Sequence, residues 1–359
     1  MSVPPIERIE GQLTPLLRSL ETLRLIGRYL NPPDLADLLE QVGSPDKDLR
    51  AARTPALPWP ENFSALGAQL DTASDETLAA FDGLRASATD PGGVRELFRA
   101  MRHAPRALEA LYPLTGILPP VNRFFLEPEL RKDEDFQKRF LLPPTGETGV
   151  IRFGDDPNAR ETVWVYVPET YSADIAHPLV MALHGGSGRG RSFLWSWVRE
   201  ARSRGAILVA PTSLGDTWAI QGEDWDTPHL ARLLTFVRER WNVDAGRMLL
   251  TGMSDGGTFT YVSGLESSSP FTHLAPIAAA FHPMLVQAAD ANRLRNLPIY
   301  IVHGLKDWMF PVNMASEAER YLSSAGAAVT YREIADLSHT YPTDSNGAIL
   351  DWLGKSASS

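Results

Sequence analysis

The stretch LLTGMSDGGTF, residues 249–259, holds the residues with the clearest chemical meaning. Ser254 lies between Gly252 and Gly256, after an apolar run that favours a strand and before a stretch that favours a helix. Gly-x-Ser-x-Gly between a strand and a helix is typical of a turn too tight for flanking side chains. Such a turn pushes the serine hydroxyl out beside helix amides, which can stabilise negative charge. The pattern favours a nucleophilic serine over the alternative, a glycine-rich turn with a capping serine.

A serine nucleophile needs a base, and the base needs an acid to orient it. PIYIVHGLKDWMFP places Asp307 after one apolar run, and VTYREIADLSHTYP places His339 after another. Both positions follow strands, at the edge where open α/β sheets bind ligands, and the order is serine, acid, histidine. We therefore predict Ser254 as nucleophile, His339 as base and Asp307 as acid. Asp336 and Asp344 are the alternatives for the acid.

Other histidines compete with His339 for the role of base. His184 precedes a glycine loop and is expected to support it, whereas His303 precedes the predicted acid and is expected to be structural. His273 and His282 lie before and after another predicted strand. Only His339 follows the last predicted strand with helix-forming residues behind it, which favours it as the base.

A glycine loop follows the predicted strand in PLVMALHGGSGRG. Glycines at a strand end let backbone N–H groups point into a site without obstruction by side chains. We predict that the amides of Gly186 and Asp255 form an oxyanion hole. The alternative, a phosphate-binding loop, is disfavoured because no Gly-Lys-Ser/Thr ending and no Gly-x-Gly-x-x-Gly run that opens a helix is present.

Aromatic residues near these loops are candidates for the substrate pocket. Trp218 and Trp225 flank the loop TSLGDTWAIQGEDWDTP, and Trp308 follows the predicted acid. We predict that these tryptophans and Ser187, which lies in the glycine loop, bind substrate, because binding residues favour loops. The alternative is that the tryptophans pack between helices and sheet.

Short apolar runs alternate with helical stretches in the second half of the chain. The runs cover residues 162–167, 178–183, 206–210, 248–251, 274–280, 298–302 and 328–334. Continuous apolar runs separated by helices predict strands buried on both faces, and hence a mostly parallel central sheet flanked by helices.

Residues 1–142 differ from the second half of the chain, because their pattern predicts helices interrupted by prolines. Leucines repeat at helical spacing near the start, and Pro15 predicts that this helix begins near Thr14. LLPPTGETG, residues 141–149, is typical of a boundary. We predict an all-helical N-terminal domain over residues 1–142, acting as a lid, a packing surface or a contact in a homo-oligomer, and a catalytic domain over residues 148–359.

The composition narrows the classes of function. The formal net charge is −10 and the pI is near 5.3, which argues against a nucleic-acid partner. The chain has no cysteine, which excludes disulfides and thiolate metal sites, and we expect no metal and no cofactor. No apolar stretch is long enough to span a membrane, and the first residues do not resemble a secretory leader. We therefore expect a cytoplasmic enzyme.

The stretches LHGGSG, GMSDGG, VHGLKDWMFP and LSHTYP resemble, in order and strand context, the α/β-hydrolase superfamily. VRERWNVDAGRMLLTGMSDGG is similar to carboxylesterases related to phospholipase/carboxylesterase, feruloyl esterase and polyhydroxyalkanoate depolymerase. The resemblance covers roughly residues 148–355 and implies the α/β-hydrolase fold, with the triad and oxyanion amides already named. It implies a serine esterase that cleaves a small-molecule carboxylic ester through an acyl-enzyme on Ser254. A peptidase or thioesterase with the same triad, and a non-catalytic scaffold with a helical assembly domain, are the alternatives.

Overall fold

The computed structural model describes residues 4–53, 58–89, 93–142 and 145–355. The chain divides into two compact units, which we call the helical unit (Met1–Lys132) and the sheet unit (Asp133–Ser359). This division precedes the predicted boundary at residues 141–149, of which Pro143 and Pro144 lie outside the described residues.

The helical unit has a long first helix that contains a proline. Its described helices are α1 (Pro5–Tyr29), α2 (Leu35–Val42), α3 (Lys47–Ala52), α4 (Ser64–Thr89), α5 (Val94–Met101), α6 (His103–Leu111) and α7 (Pro119–Phe124). The predicted start near Thr14 is wrong, because α1 begins at Pro5 and runs through Pro15. The buried face of α1 includes Leu13, Leu16, Leu20 and Leu23. A proline inside a helix costs about 3 kcal/mol, whereas burying a single leucine contributes about 1.5–3 kcal/mol, so this face outweighs the proline.

The sheet unit is built on one sheet, whose eight strands within the described residues have the order β1-β2-β4-β3-β5-β6-β7-β8. They are β1 (Gly149–Phe153), β2 (Val163–Val167), β3 (His177–Leu183), β4 (Ile207–Ala210), β5 (Val243–Met253), β6 (His273–Ile277), β7 (Pro298–Gly304) and β8 (Ala328–Ile334). The β1–β2 and β2–β4 pairs are antiparallel, and the remaining pairs are parallel. The predicted mostly parallel sheet is therefore confirmed.

Helices connect the parallel strands, as crossovers of this kind require. The described helices of the sheet unit are α8 (Glu134–Lys138), α9 (Gly190–Phe193), α10 (Val198–Arg204), α11 (Asp226–Arg238), α12 (Asp255–Gly264), α13 (Met284–Ala288), α14 (Ala291–Leu294), α15 (Asn313–Ser324) and α16 (Asn346–Lys355). Strand residues such as Val165, Met181 and Leu250 form the core with Phe259 of α12. Over the described ranges, no helix combines the length and apolar character that crossing a membrane requires.

One strand was not predicted, and others differ from their predicted bounds, most of all β5, which spans Val243–Met253 instead of residues 248–251. β1 was not predicted, because most of its residues are only half-buried and it pairs with β2 at the edge of the sheet. β6 ends at Ile277 instead of residue 280, and Ala278 leaves the sheet with a φ of 46°. The carboxyl ends of β3, β5, β6, β7 and β8 share one edge of the sheet because these strands are parallel to one another. The loops that follow them can therefore build a common site.

Candidate active site

Ser254 occupies a strained turn between β5 and α12. Its backbone has φ 56° and ψ −119°, a conformation that residues other than glycine rarely adopt. A Cβ atom on Gly252 would lie 2.5 Å from the backbone of Gly256, and one on Gly256 would lie 2.5 Å from the carbonyl oxygen of His184. Both glycines are therefore required by the close approach of α12 to the neighbouring strand ends. The turn holds the Ser254 hydroxyl at the carboxyl edge of the sheet.

The structure brings together the three side chains predicted as a triad. The Ser254 Oγ lies 3.0 Å from the His339 Nε2, and the His339 Nδ1 lies 2.8 Å from the Asp307 Oδ2. The three residues are 7%, 6% and 8% exposed, in that order. Because a carboxylate only accepts hydrogen bonds, Nδ1 carries the ring proton of neutral His339. Nε2 is then free to accept the serine proton.

Asp307 is fixed in place by its own loop. The backbone N–H groups of Met309 and Phe310 donate to its Oδ1 at 2.9 and 2.8 Å, which leaves Oδ2 for His339. Burial alone would raise the pKa of Asp307, but the hydrogen bonds from His339, Phe310 and Met309 outweigh burial and lower it. The carboxyl group is therefore ionised at neutral pH.

The alternative acids and bases lie elsewhere. Asp336 and Asp344 are exposed, whereas Asp307 is buried against His339. His273 opens β6 at the opposite edge of the sheet, and His282 is exposed. The geometry thus favours the pair Asp307 and His339 over the competing residues.

His303 supports the acid loop, as its predicted structural role implies. Its Nε2–H donates to the carbonyl oxygen of Phe310 at 2.8 Å and lies 3.4 Å from the Asp307 Oδ2. The side chain is 1% exposed. It therefore closes the turn whose amides hold the Asp307 carboxylate.

The glycine loop after β3 lies directly beside the nucleophile. A Cβ atom on Gly185 would lie 3.5 Å from the Cβ of Ser254, and one on Gly186 would lie 2.7 Å from the Asp255 Oδ2. Asp255 is the first residue of α12, so its amide has no partner one turn earlier in that helix. The two segments predicted to supply oxyanion donors are therefore adjacent.

His184 anchors the glycine loop as a neutral imidazole. Its Nδ1–H donates to the Gly185 carbonyl oxygen at 2.7 Å, and its Nε2 accepts the Ser213 N–H at 3.1 Å. These partners fix one tautomer, because a carbonyl can only accept and an amide can only donate. Burial lowers the pKa of His184 to about 4, so the ring stays neutral near pH 7.

A family comparison agrees with this geometry. Residues 230–357 match the phospholipase/carboxylesterase family, a range that includes Ser254, Asp307 and His339. The strand order, the Ser254 turn and this match together decide the fold. The chain is an α/β-hydrolase-fold protein.

Several characterised proteins are similar to this α/β-hydrolase-fold protein. The bifunctional acetylxylan esterase/xylanase XynS20E of Neocallimastix patriciarum is 28% identical over 205 residues, covering 55% of this chain and 29% of that protein. Feruloyl esterase B of Neurospora crassa is 26% identical over 156 residues, covering 40% of this chain and 52% of that protein. The matches thus span less than a third of the first relative and about half of the second. A solved ferulic acid esterase is 16% identical with a TM-score of 0.48, covering 58% of this chain and 98% of that one.

The predicted substrate residues of this α/β-hydrolase-fold protein fall into two groups. Trp218 is 2% exposed and donates its Nε1–H to the carbonyl oxygen of His184 at 2.7 Å. The structure thus places Trp218 beneath the glycine loop instead of at a surface that meets substrate. Trp225 and Trp308 are each 47% exposed, and the Trp308 ring centre lies 6.0 Å from that of His339. Ser187 is exposed in the glycine loop with a φ of 56°.

Sequence reasoning missed two residues beside the site. Thr217 donates its hydroxyl to the Asp255 Oδ2 at 2.5 Å, and Asp226 is a fully buried carboxylate at the start of α11. The Asp-Thr-Pro sequence at 226–228 is typical of a helix start and could have drawn attention to Asp226. No comparable pattern identifies Thr217. Over the described residues, no three histidine or carboxylate side chains cluster in a way that could hold a metal ion.

Proposed function

We propose that this protein is a serine ester hydrolase that cleaves a carboxylic ester through an acyl-enzyme on Ser254. The contact that carries the proposal is the 3.0 Å approach of the Ser254 Oγ to the His339 Nε2, with Asp307 on the other side of the ring. The similarity to proteins named acetylxylan esterase and feruloyl esterase supports ester cleavage as the reaction. Acetyl and feruloyl esters are therefore the first substrates to test.

In the first half of the reaction, the Ser254 Oγ attacks the ester carbonyl carbon and its proton passes to the His339 Nε2. The ionised Asp307 carboxylate stabilises the positive imidazolium that results. The carbonyl oxygen becomes negative, and the amides of Gly186 and Asp255 donate hydrogen bonds to it. The bond between the carbonyl carbon and the alcohol oxygen then breaks, and His339 delivers the proton to the leaving alcohol.

In the second half, water repeats the attack on the acyl-enzyme. His339 takes a proton from the water, and the new oxygen bonds to the carbonyl carbon. The bond to the Ser254 Oγ breaks, His339 returns the proton to that oxygen, and the carboxylic acid leaves. The amino terminus of α12 contributes to the oxyanion site through its dipole as well as through the Asp255 amide.

The proposal is tested by combining an ester panel with a fluorophosphonate probe, which labels activated serines. The panel holds p-nitrophenyl esters of increasing chain length, methyl ferulate, an acyl thioester and a peptide. Ser254→Ala should lose probe labelling and about 10⁴–10⁶-fold of the turnover. Ser316→Ala, which alters an exposed serine at the start of α15, should behave as wild type.

Each other result has a distinct meaning. Wild type that neither binds the probe nor cleaves any member of the panel would contradict a catalytic role and favour the scaffold alternative. Labelling that persists in Ser254→Ala would place the nucleophile elsewhere. A thioester or peptide cleaved much faster than every ester would shift the reaction class while keeping the triad.

A further inference from the structure

Residues 214–219, which we call the bracing loop, lie between β4 and α11 and contact both segments of the candidate oxyanion site. The Thr217 hydroxyl donates to the Asp255 Oδ2 at 2.5 Å, and the Trp218 Nε1–H donates to the carbonyl oxygen of His184 at 2.7 Å. The amide of Ser213, which directly precedes the loop, donates to the His184 Nε2 at 3.1 Å. The position of the bracing loop therefore determines how His184 and Asp255 are held.

One carboxylate closes the bracing loop at both ends. The Asp226 Oδ1 accepts the Leu214 N–H at 2.9 Å, and its Oδ2 accepts the Ala219 N–H at 2.8 Å. Leu214 and Ala219 are the first and last residues of the loop. Asp226 is 0% exposed, so water does not compete for either hydrogen bond.

The burial of Asp226 needs an explanation, because an isolated buried charge is strongly unfavourable. Within the described residues, no arginine or lysine forms an ion pair with it. Its compensation comes from the two loop amides and from the amino terminus of the 13-residue helix α11. Each of the two carboxylate oxygens accepts one of these amides, which accounts for a carboxylate at this position.

We propose that Asp226 is a positioning residue for oxyanion stabilisation. By fixing the bracing loop it holds the His184 ring and the Asp255 side chain, and through them the amides of Gly186 and Asp255. The inference rests on the proposed ester hydrolysis. Asp226 contacts neither the triad nor the donor amides, so it acts on the reaction only through the loop.

Asp226→Asn is the most direct test, because it keeps the shape of the side chain. The amide offers one acceptor oxygen, so its NH₂ group faces one loop N–H and that end of the loop is released. An oxyanion depends on the amides more than the neutral ester does. We therefore expect kcat to fall about 10-fold while KM changes less than about 2-fold.

A neighbouring aspartate provides a matched control. The Asp224 Oδ1 accepts hydrogen bonds from the amides of Asp226 and Thr227 at 3.0 and 2.9 Å. Both amides belong to the first turn of α11, and neither belongs to the bracing loop. Asp224→Asn removes the same charge and retains an acceptor oxygen. Its kcat should stay within about 2-fold of the wild-type value.

A second measurement separates positioning from general stability. A boronic acid inhibitor forms a tetrahedral adduct with the serine and places an oxygen where the oxyanion would lie. Its affinity should fall in Asp226→Asn by the same factor as kcat. Thr217→Val, which removes the hydroxyl that reaches Asp255, should lower both values in the same direction, and Thr217→Ser should restore them.

The outcomes distinguish this proposal from the proposed function. Wild type without ester turnover would overturn ester hydrolysis itself. Active wild type with equal kcat and inhibitor affinity in Asp226→Asn and Asp224→Asn would overturn the role of Asp226, even if Asp226→Asn melted at a lower temperature. If Asp226→Asn does not fold, wild-type kcat in Thr217→Val would overturn the proposal, and a loss rescued by Thr217→Ser would support it.

Discussion

The helical unit and the sheet unit each bury a carboxylate, and they hold it by different means. Asp46 of the helical unit is 1% exposed and accepts hydrogen bonds from the guanidinium groups of Arg50 and Arg85. Asp307 of the sheet unit is 8% exposed and accepts hydrogen bonds from backbone amides and from His339. One carboxylate is matched by permanent positive charges, and the other by neutral dipoles.

The two environments give both groups a lowered pKa for different reasons. Burial would raise the pKa of Asp46, but hydrogen bonds and charge from Arg85 and Arg50 outweigh it. For Asp307, hydrogen bonds from His339, Phe310 and Met309 outweigh the effect of burial and lower the pKa. A carboxylate that is already paired with cations adds little stabilisation to a further positive charge. A carboxylate held by dipoles keeps a net negative charge, which stabilises His339 when that ring gains a proton.

Between the two carboxylates, the larger effect should follow from neutralising Asp307, the one held by dipoles. Asp307→Asn can present an NH₂ group to His339 and favour the tautomer with the proton on Nε2, which cannot accept the serine proton. We expect kcat/KM on the best ester to fall about 10³–10⁴-fold. Asp336→Asn, at the rival aspartate that precedes His339, should retain wild-type activity. Full activity in Asp307→Asn with a large loss in Asp336→Asn would reassign the acid.

The matching change in the helical unit should affect stability and leave activity intact. Asp46→Asn removes the buried carboxylate that the guanidinium groups of Arg50 and Arg85 share, although both groups are about 40% exposed to water and both still pair with Asp82. We expect the free energy of unfolding to fall by about 2 kcal/mol, below the cost of breaking a fully buried pair. Urea unfolding measures the change, with the exposed Asp48→Asn as control. A lower kcat per active site would contradict the contrast between the two carboxylates.

The sequence was sufficient for those features that depend on element order. Ser254, Asp307 and His339 each follow an apolar run, and parallel strands bring such positions to one edge of the sheet. The glycines around Ser254 were informative because the close approach of α12 leaves no room for a Cβ atom. These features follow from local patterns and from the rule that ligands bind at the carboxyl ends of parallel strands.

Features that depend on the path of a loop could not be predicted. Trp218 and Trp225 lie in the same loop and have similar sequence neighbours, yet Trp218 is 2% exposed and Trp225 is 47% exposed. The difference arises because the Trp218 indole reaches a carbonyl oxygen of another strand end. The partners of Asp226 are likewise backbone amides, and the residue types in the sequence do not indicate which backbone amides a side chain will contact. The edge strand β1 was missed because its side chains are only partly buried.

Acidification should weaken the sheet unit while Asp46 of the helical unit, whose pKa is lowered, is still ionised. Burial lowers the pKa of His184 and of His273 from 6.5 to about 4, so the folded state excludes protons that the unfolded state binds. The stability this contributes is complete above pH 6.5 and is lost as the pH falls toward 4. The expected slope is about 1.4 kcal/mol per pH unit for each histidine.

Tryptophan fluorescence measures this loss, because Trp59 is the only one of nine tryptophans outside the sheet unit. Urea midpoints should fall between pH 6.5 and pH 5 in a Trp59→Phe background. His273→Gln should reduce the slope without abolishing it, because burial also lowers the pKa of His184 and of His229. A midpoint that does not change over this range would show that none of these histidines is held neutral by folding.

The smallest predicted effect is on KM, and it should differ between Trp308 and Trp225, which are equally exposed. Trp308 lies 6.0 Å from the His339 ring, centre to centre, whereas Trp225 is on the loop that leads to α11. A side chain beside the triad can contact the acyl group, and losing such a contact is worth about 1 kcal/mol, or about 5-fold in binding. Trp308→Ala should therefore raise KM for longer acyl chains about 3- to 5-fold with little change for acetate. Trp225→Ala should change KM less, and an equal or larger rise would move the acyl site away from the Asp307 loop toward α11.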